Sequence, residues 1–169
     1  MKSRNAFFLA CISLVLFSPP TFAAATLASP DQDRQAKQAV PASGKALIYV
    51  YRLDDGEGGA VPALWLNGRV SGNLEMRTYG MWAAGAGRLD IRAGQVDAKP
   101  LSFSCQAGRV YFVQLTVNKD QSVSLRQVSY GVGRKDLQQA RLVLDPTLAA
   151  RAAVVPKPVP APEIGRAHV

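Results

Sequence analysis

Apolar and polar residues alternate in short runs through the middle of the chain. In residues 88–93, for example, Leu89 and Ile91 alternate with charged side chains. A period of two residues is typical of a strand that buries one face. About eight such runs, separated by turn residues and without a helical pattern between them, occupy residues 44–129. The pattern predicts a mostly β protein, an antiparallel β-sandwich of about seven to eight strands with a short C-terminal helix.

Two stretches give the clearest structural predictions. Residues 45–53 (KALIYVYRL) are apolar at both odd and even positions, which indicates a strand covered on both faces. Further on, Asn67-Gly68 separates the apolar runs 61–66 and 70–74. Both turn residues tolerate positive φ, so this dipeptide predicts a tight hairpin. The remaining predicted strands are 76–83, 88–93, 101–105, 109–117 and 122–129.

The composition changes on either side of the predicted strands. A helix is expected at residues 135–144, where Leu137, Ala140 and Leu144 share one face. Residues 24–43 are rich in Ala, Gln, Ser and Pro, and residues 145–169 are rich in Ala and Pro. Segments of this kind bury too little apolar surface to offset the chain entropy. We therefore expect a flexible leader at 24–43, a β-sandwich domain at 44–144 and a mostly disordered tail at 145–169.

The first 23 residues have the composition of a secretory signal peptide. Two positive charges precede the apolar run AFFLACISLVLF, and Thr21-Phe22-Ala23 supplies small residues at the −3 and −1 positions. The run is shorter than the roughly 20 residues of a membrane-spanning helix. We therefore expect export, most simply to the periplasm, with cleavage after Ala23 and no transmembrane span in the processed chain.

The chain has two cysteines, and each allows two interpretations. Cys11 follows Phe8-Leu9-Ala10, which resembles a lipoprotein signal, but the apolar run continues beyond it. Removal with the signal peptide is therefore favoured over an outer-membrane lipoprotein anchored through Cys11. Cys105 shares the strand parity of Leu101 and Phe103, which favours a small buried thiol over a reactive one.

The chain is basic, with a formal net charge of +8. A positive surface favours anionic partners, although it also simply aids solubility. The basic residues are spread along the chain and form no run of the kind that binds nucleic acid. The expected partners are therefore another envelope protein or an anionic envelope component, without nucleic acid. The oligomeric state stays open at this point.

Few residues offer catalytic chemistry. The single histidine, His168, lies in the predicted tail, which disfavours Ser–His or Cys–His hydrolysis. No Cys/His cluster has zinc spacing, and the acidic segment 54–57 lacks the alternate carboxylates and distal Glu of a calcium loop. We expect no cofactor, metal or catalytic residue. Two Asp or Glu carboxylates facing each other in a cleft would still allow glycosidase chemistry.

Two sets of side chains are candidates for a recognition surface. The aromatic set would line a ligand face, but aromatic residues in strands belong more often to the core. The second set, four arginines in neighbouring hairpins, would form an anion-binding or partner surface, or would discourage pairing at strand edges. The aromatic residues are Tyr49, Tyr51, Trp65, Tyr79, Trp82 and Tyr111, and the arginines are Arg69, Arg77, Arg88 and Arg92.

The order of these segments resembles a known family. ALIYVYRL is followed by LWLNGRVSGNL, AGAGRLDIRA, a YFVQL strand and a last strand that leads into a Leu-containing helix. Over residues 45–144 this order resembles the exported bacterial domain-of-unknown-function family numbered twenty-eight forty-six. It also resembles the broader PEGA-like, transthyretin-like β-sandwiches, whose turn and second glycine match Asn67-Gly68 and Gly72. The resemblance implies a small envelope-associated β-sandwich, often secreted or lipid-anchored, and carries over no catalytic residues.

One main functional expectation follows from these patterns. We expect a non-catalytic exported domain of the periplasm or envelope that binds or braces another component of unknown identity. The alternative is a hydrolase that acts on cell-wall material with Asp or Glu carboxylates. A deep cleft that holds two carboxylates would favour the hydrolase, and a sandwich without one would favour the binding module.

Overall fold

The computed structural model describes residues 26–54, 61–95 and 97–144, which form two β-sheets and two short helices. In chain order the elements are β1 (Thr26–Leu27), α1 (Pro30–Lys37), β2 (Lys45–Arg52), β3 (Ala63–Leu66), β4 (Arg69–Asn73), β5 (Thr78–Gly85), β6 (Gly87–Gly94), β7 (Leu101–Cys105), β8 (Val110–Val117), β9 (Val123–Val128), α2 (Tyr130–Leu137) and β10 (Arg141–Leu144). The mostly β, two-sheet architecture predicted from the alternating pattern is confirmed. The predicted signal peptide at 1–23 and the predicted tail at 145–169 lie outside the described residues.

The described part of the chain has three layers. The larger sheet has the strand order β1-β10-β5-β2-β8-β9, and the smaller sheet has the order β4-β3-β6-β7. The pairs β2–β8 and β5–β10 are parallel, whereas the other described pairs are antiparallel. One apolar cluster joins the two sheets, and a second joins the larger sheet to both helices. The larger sheet is therefore covered on both of its faces.

The strand β2 is buried on both faces, as its two-sided apolar pattern predicts. Ile48 and Val50 belong to the cluster between the sheets, and Tyr49 and Tyr51 belong to the cluster under the helices. All four side chains are fully buried. Because β5 and β8 pair with its two edges, β2 is the central strand around which the other layers pack.

The hairpin predicted at Asn67-Gly68 is confirmed. Asn67 has φ 48° and Gly68 has φ 75°, and positive values at both positions are what a type I′ turn between β3 and β4 requires. The hairpin tip is also held against β6. The Asn67 N–H donates to the Asp90 carbonyl at 2.8 Å, and the Asn67 Oδ1 accepts from the Asp90 N–H at 3.0 Å. The turn therefore has a fixed position beside the middle of β6.

The prediction of a flexible leader at 24–43 is wrong from Thr26 onward, because this segment contributes β1 and α1 to the fold. A capping box between Ser29 and Gln32 starts α1, and Pro30 occupies its first turn. Ala36 is buried, and its carbonyl accepts a hydrogen bond from the Tyr49 hydroxyl at 2.6 Å. The sequence of α1 has little apolar period of its own, and hydrogen bonds from distant strands help to hold the helix in place.

The predicted C-terminal helix is present but begins and ends earlier than expected. The helix α2 ends at Leu137, and the second half of the predicted 135–144 stretch forms β10 instead. The Arg141 N–H donates to the Arg77 carbonyl at 2.9 Å, which starts the parallel pairing of β10 with β5. Leu137 and Ala140 are buried as the helical stripe predicts, whereas Leu144 lies on a strand. Pairing with the open edge of β5 therefore overrides the local helical period.

Buried tyrosine hydroxyls tie both helices to the larger sheet. The Tyr51 hydroxyl donates to Oδ2 of Asp136 in α2 at 2.7 Å, and the Tyr79 hydroxyl donates to the Asp33 carbonyl in α1 at 3.3 Å. Burial raises the pKa of Tyr49 to about 12, so this donor stays protonated at neutral pH. The two helices also meet directly, because the Arg134 guanidinium donates to the Lys37 carbonyl.

Asp33 is the carboxylate that anchors α1 to β10, and its charge makes the anchor sensitive to pH. Burial alone would raise its pKa, but hydrogen bonds from Lys37 and the Leu142 N–H outweigh that effect and leave the pKa below its usual value. Because the folded pKa is the lower one, Asp33 contributes its stability above the unfolded pKa of about 4. That contribution is lost as the pH falls through the folded pKa.

We expect Asp33→Asn to lower the free energy of unfolding by about 2 kcal/mol at neutral pH, because charged hydrogen bonds are lost. The deficit should shrink as the pH falls from neutral to below the unfolded pKa of about 4, because the wild-type carboxylate then becomes progressively protonated. Denaturant titrations at a neutral and an acidic pH measure it. Asp31→Asn is the matched control, since its carboxylate lies in the same helix and is 78% exposed. An equal deficit of Asp33→Asn at both pH values would contradict the anchor.

Candidate functional site

The smaller sheet has one face packed on the larger sheet and one face that points away from it. Leu89 and Ile91 of β6 are buried between the sheets, so the alternate residues Arg88, Asp90 and Arg92 point outward. We call the outward side chains of β3, β4, β6 and β7 the outer face. In the described part of the chain, it is the sheet face that neither the helices nor the other sheet covers.

A tryptophan lies in the middle of the outer face. Trp65 of β3 is directly opposite Arg92 on one side and Val70 on the other. Side chains at directly opposite positions have Cβ atoms about 4.5–5.5 Å apart. Trp65 is half-buried, and Val70 is 62% exposed. The face therefore combines an aromatic ring, an aliphatic side chain and a guanidinium in one row across three strands.

A polar network occupies the next part of the outer face. The Arg88 Nε lies 3.0 Å from Oδ1 of Asp90, and its Nη2 donates to the Ser102 hydroxyl at 3.2 Å. The Ser102 hydroxyl donates in turn to Asp90 at 2.6 Å. The bonds from Ser102 and Arg88 hold the pKa of Asp90 below its usual value, so it stays ionised at neutral pH. The guanidinium is oriented by this network, and the Arg88 side chain as a whole is 73% exposed.

The structure brings two of the four candidate arginines onto one face. Arg88 and Arg92 share the outer face of β6, and exposed Arg69 lies at the tip of the neighbouring hairpin. Arg77 is separate, because it immediately precedes β5 of the larger sheet. β6 pairs with β7 over residues 87–91 and with β3 over residues 91–94, so Arg88 and Arg92 each have a partner strand on one side.

Most of the candidate aromatic residues belong to the core. Tyr49, Tyr51, Tyr79 and Trp82 are buried, which confirms the core interpretation for these four. Tyr111 is half-buried, and its hydroxyl accepts from the Gln106 N–H at 2.9 Å. Only Trp65 of the six stands on the outer face.

Sequence reasoning identified Arg88 and Arg92 but missed Val70, Asp90 and Ser102 as parts of the same surface. The period of two in β6 places Arg88, Asp90 and Arg92 on one face, so Asp90 could have been identified from the sequence pattern. Val70 and Ser102 join only through the pairing of β3 with β4 and of β6 with β7. No local pattern specifies which strands pair, so these two could not be found.

Six of the described carboxylates, which the alternative hydrolase would draw on, take part in local contacts. Each of six described aspartates has a hydrogen-bond or ion-pair partner: Asp31 with Arg34, Asp33 with Lys37, Asp54 with Arg52, Asp90 with Ser102, Asp120 with Ser122 and Asp136 with Tyr51. Within the described ranges, no three His, Cys, Asp or Glu side chains come together as potential metal ligands.

A groove of about 360 Å³ lies beside the edge strand β9. Its walls include Val123 and Leu125 of β9 and Pro100 and Leu101 at the start of β7, with Lys99 at its margin. Carboxylates are absent from the described residues that line it. The groove is therefore an opening of mixed polar and apolar lining between the edges of the two sheets rather than an acid–base cleft.

Cys105 is a buried thiol, as its strand parity predicts. It is 3% exposed and belongs to the cluster between the sheets, and burial raises the pKa of its thiol. A thiol with a raised pKa carries little thiolate at neutral pH and reacts slowly. The confirmed burial makes Cys105 a core residue.

We expect Cys105 to react slowly with a thiol reagent in the folded protein and rapidly after denaturation. Cys105→Ser should lower the free energy of unfolding by about 1–3 kcal/mol, because it buries a hydroxyl in an apolar cluster. Cys105→Ala, which adds no polar group, is the matched control and should cost less. Rapid labelling of the native protein would contradict the buried position.

Neither a protein-family model nor a curated protein matches the chain. The resemblance to the exported bacterial family stays a prediction. In the described residues, neither helix has the length and apolar character needed to cross a bilayer.

Proposed function

We propose that this protein is a non-catalytic domain, exported to the periplasm or cell envelope, that binds an anionic component of the envelope through the outer face of its smaller sheet. The observation that carries the proposal is that Arg88 and Arg92 share the outer face of β6, where Arg92 lies directly opposite Trp65. Export rests on the signal-like first 23 residues. N-terminal sequencing of envelope-fraction protein tests this part, with a start at Ala24 expected and a start at Met1 contradicting it.

The spacing of the two arginines favours a surface with repeated anionic groups. They are four residues apart along one strand, which corresponds to about 13 Å. One phosphate or carboxylate cannot bridge that distance, so each guanidinium contacts a separate anionic group. Phospholipid headgroups, lipopolysaccharide phosphates and acidic polysaccharides present such groups. Exposed Arg69 at the neighbouring hairpin tip adds a further positive charge.

Trp65 and Val70 suit the same kind of partner. A half-buried indole at the centre of a flat face offers an apolar surface on which a sugar ring or the interfacial region of a lipid can rest. Exposed Val70 extends that apolar surface across the edge strand β4. The cations then supply electrostatic attraction, while the row of Trp65 and Val70 supplies contact area.

The state of the carboxylates supports a binding role over the hydrolase alternative. A glycosidase needs two carboxyl groups that face a shared cleft. Asp54 and Asp136, which are partly buried, bind Arg52 and Tyr51 respectively. Asp90 is the carboxylate on the outer face, and it is held by Arg88 and Ser102.

Co-sedimentation with lipid vesicles tests the proposed surface. We expect the protein to bind vesicles that contain phosphatidylglycerol but not vesicles of phosphatidylcholine alone, with binding lost at high salt. The Arg88→Gln/Arg92→Gln variant should bind about 30-fold more weakly, which corresponds to about 1 kcal/mol for each cation. Arg109→Gln/Lys119→Gln is the matched control, because it removes the same charge from turns outside the outer face.

Separate arms of the experiment distinguish the sources of anionic groups. Lipopolysaccharide and an acidic polysaccharide replace the vesicles in parallel assays, and inorganic phosphate is added as a competitor. Inorganic phosphate should compete poorly, since it occupies one arginine at a time. Equal losses in the outer-face variant and the control would contradict the proposal, and so would binding to none of the three anionic materials.

A further inference from the structure

The strand β9 is a six-residue edge of the larger sheet, and β8 is its one partner among the described strands, which leaves its other side open in this part of the chain. The register with β8 is regular from Val117↔Val123 to Phe112↔Val128, without a bulge. Other described edges are less suitable for pairing. β1 has two residues, the register of β4 shifts at its partner β3, and β7 is shorter and begins directly after Pro100. A long regular edge is a template for adding another strand.

The backbone groups on the open side of β9 can be assigned from the neighbouring hydrogen bonds. The Asn118 N–H donates to the Ser122 carbonyl, so residues 118 and 122 form a hydrogen-bonded pair. Such pairs alternate with non-bonded ones in an antiparallel ladder. Residues 124, 126 and 128 therefore bond to β8, whereas the N–H and C=O groups of Val123, Leu125 and Gln127 point to the open side.

The parallel pairing on the other side of β8 gives the same assignment. The Leu47 N–H donates to the Arg109 carbonyl at 2.9 Å, so the odd-numbered residues of β8 bond to β2. Its even-numbered residues must then bond to β9. Two independent sets of bonds thus agree that Leu125 presents both backbone groups to the open edge.

The apolar side chains of β9 are also incompletely covered. Val123 and Leu125 face the space between the sheets, and both are only half-buried. The groove of about 360 Å³ lies against them, with Pro100 and Leu101 on the opposite wall. An added strand would extend the larger sheet over this groove and cover both side chains.

We propose that β9 pairs with β9 of a second copy of the chain, which gives a two-fold dimer with one continuous sheet. In an antiparallel pair centred on Leu125, Leu125 lies opposite Leu125 of the second copy, and Val123 lies opposite Gln127 of the second copy. The backbone N–H and C=O groups on the open side of one copy therefore meet those of the other. The two Leu125 side chains then lie beside each other over the groove, and Ser124 lies opposite Arg126 of the other copy on the helix side of the sheet. This self-complementarity favours a second copy over an unrelated peptide.

The dimer goes beyond the proposed function but does not depend on it. Two-fold pairing through β9 would place two copies of the outer face in one particle, because the smaller sheet is stacked on the larger one. Two linked binding faces raise the avidity for a surface with repeated anionic groups. If the protein does not bind vesicles, the dimer proposal still stands. If the protein is a monomer, the proposed binding of anionic surfaces by the outer face still stands.

A cysteine placed on the two-fold axis tests the pairing. The full chain carries Cys11→Ala, so that buried Cys105 is its only native thiol. Leu125→Cys should give a disulfide-linked dimer under mild oxidation, because hydrogen-bonded pairs have Cα atoms about 5.5 Å apart, within disulfide range. Ser124→Cys is the control. Its copy lies about 7–8 Å away diagonally and should not cross-link.

A second pair of variants tests the backbone bonds without new thiols. Sedimentation velocity should show a dimer for the unmodified chain and for Gln127→Ala, and a monomer for Gln127→Pro. Proline removes an N–H that points to the open edge and leaves the bonds to β8 intact. A monomeric unmodified chain, a dimer that persists in Gln127→Pro, or equal cross-linking of both cysteine variants would overturn the proposal.

Discussion

Asp54→Ala is expected to destabilise the protein by about 3–5 kcal/mol, because it removes a carboxylate that pairs directly with the buried guanidinium of Arg52. Arg52 is 1% exposed at the end of β2, between Thr78 and Leu115 of the flanking strands. Its Nε donates to Asp54 at 2.9 Å and 3.0 Å, and its Nη2 lies 2.8 Å from Oδ2 of the same carboxylate. The pair thus places a carboxylate directly against a buried guanidinium, whose Nη1 also lies 3.5 Å from the Leu74 carbonyl.

A double variant separates the free-energy cost of removing only the carboxylate from the net contribution of the ion pair to stability. In Arg52→Met/Asp54→Ala, an unbranched apolar side chain fills the space of the guanidinium stem. Replacing a buried pair by apolar residues is often neutral, so we expect the double variant to recover about 2 kcal/mol relative to Asp54→Ala. A double variant that is less stable than Asp54→Ala would contradict this account.

Chemical denaturation of the variants at neutral pH provides the measurement. Asp120→Ala serves as the control, because Asp120 also accepts hydrogen bonds but does so on the surface, from its neighbour Ser122. The loss at Asp120 should be much smaller than the loss at Asp54. Comparable losses would indicate that burial of Arg52 does not determine the cost.

Gly133→Ala is expected to destabilise the protein by about 1–3 kcal/mol, because α2 has no room for a side chain at this position. Gly133 is buried against Phe112 of β8. An added Cβ would lie 2.7 Å from Cδ1 of Phe112 and closer still to its Cγ and Cβ. These atoms are at the root of a side chain that is 1% exposed and cannot move aside. The helix would have to shift away from the sheet.

Gly131→Ala, two residues earlier in the same helix, should have the opposite effect. A Cβ at Gly131 would meet nothing within 4 Å. Alanine is favoured over glycine in a helix by about 1 kcal/mol, so this variant should be more stable than the wild type. Thermal melting of both variants tests the close approach of α2 and β8. Destabilisation by both, or by neither, would contradict it.

The strands and turns were predictable from the sequence because their signals are local. The two-sided apolar pattern of β2 and the Asn67-Gly68 turn each depend on a few adjacent residues, and both are confirmed. The helix α1 was not predictable in the same way. Its attachment depends on the Tyr49 hydroxyl and on the bond from the Leu142 N–H to Asp33, which come from distant strands.

The candidate site shows the same division between local and distant information. Alternation alone places Arg88 and Arg92 on one face of β6. That this face points away from the larger sheet, with Trp65 beside it, depends on the pairing of β3 with β6. Arg77 was grouped with the others because it is near them in sequence, but it belongs to the larger sheet. Proximity along the chain does not specify which sheet a strand joins.

The accessibility of Trp65 during binding tests the central claim most directly. The chain has two tryptophans, and Trp82→Phe leaves Trp65 as the one fluorescent reporter while keeping an aromatic ring in the core. If the outer face binds anionic surfaces, vesicles that contain phosphatidylglycerol will reduce the quenching of Trp65 by acrylamide several-fold, and high salt will reverse the protection. Vesicle binding that leaves the quenching of Trp65 unchanged would show that another surface of the protein makes the contact.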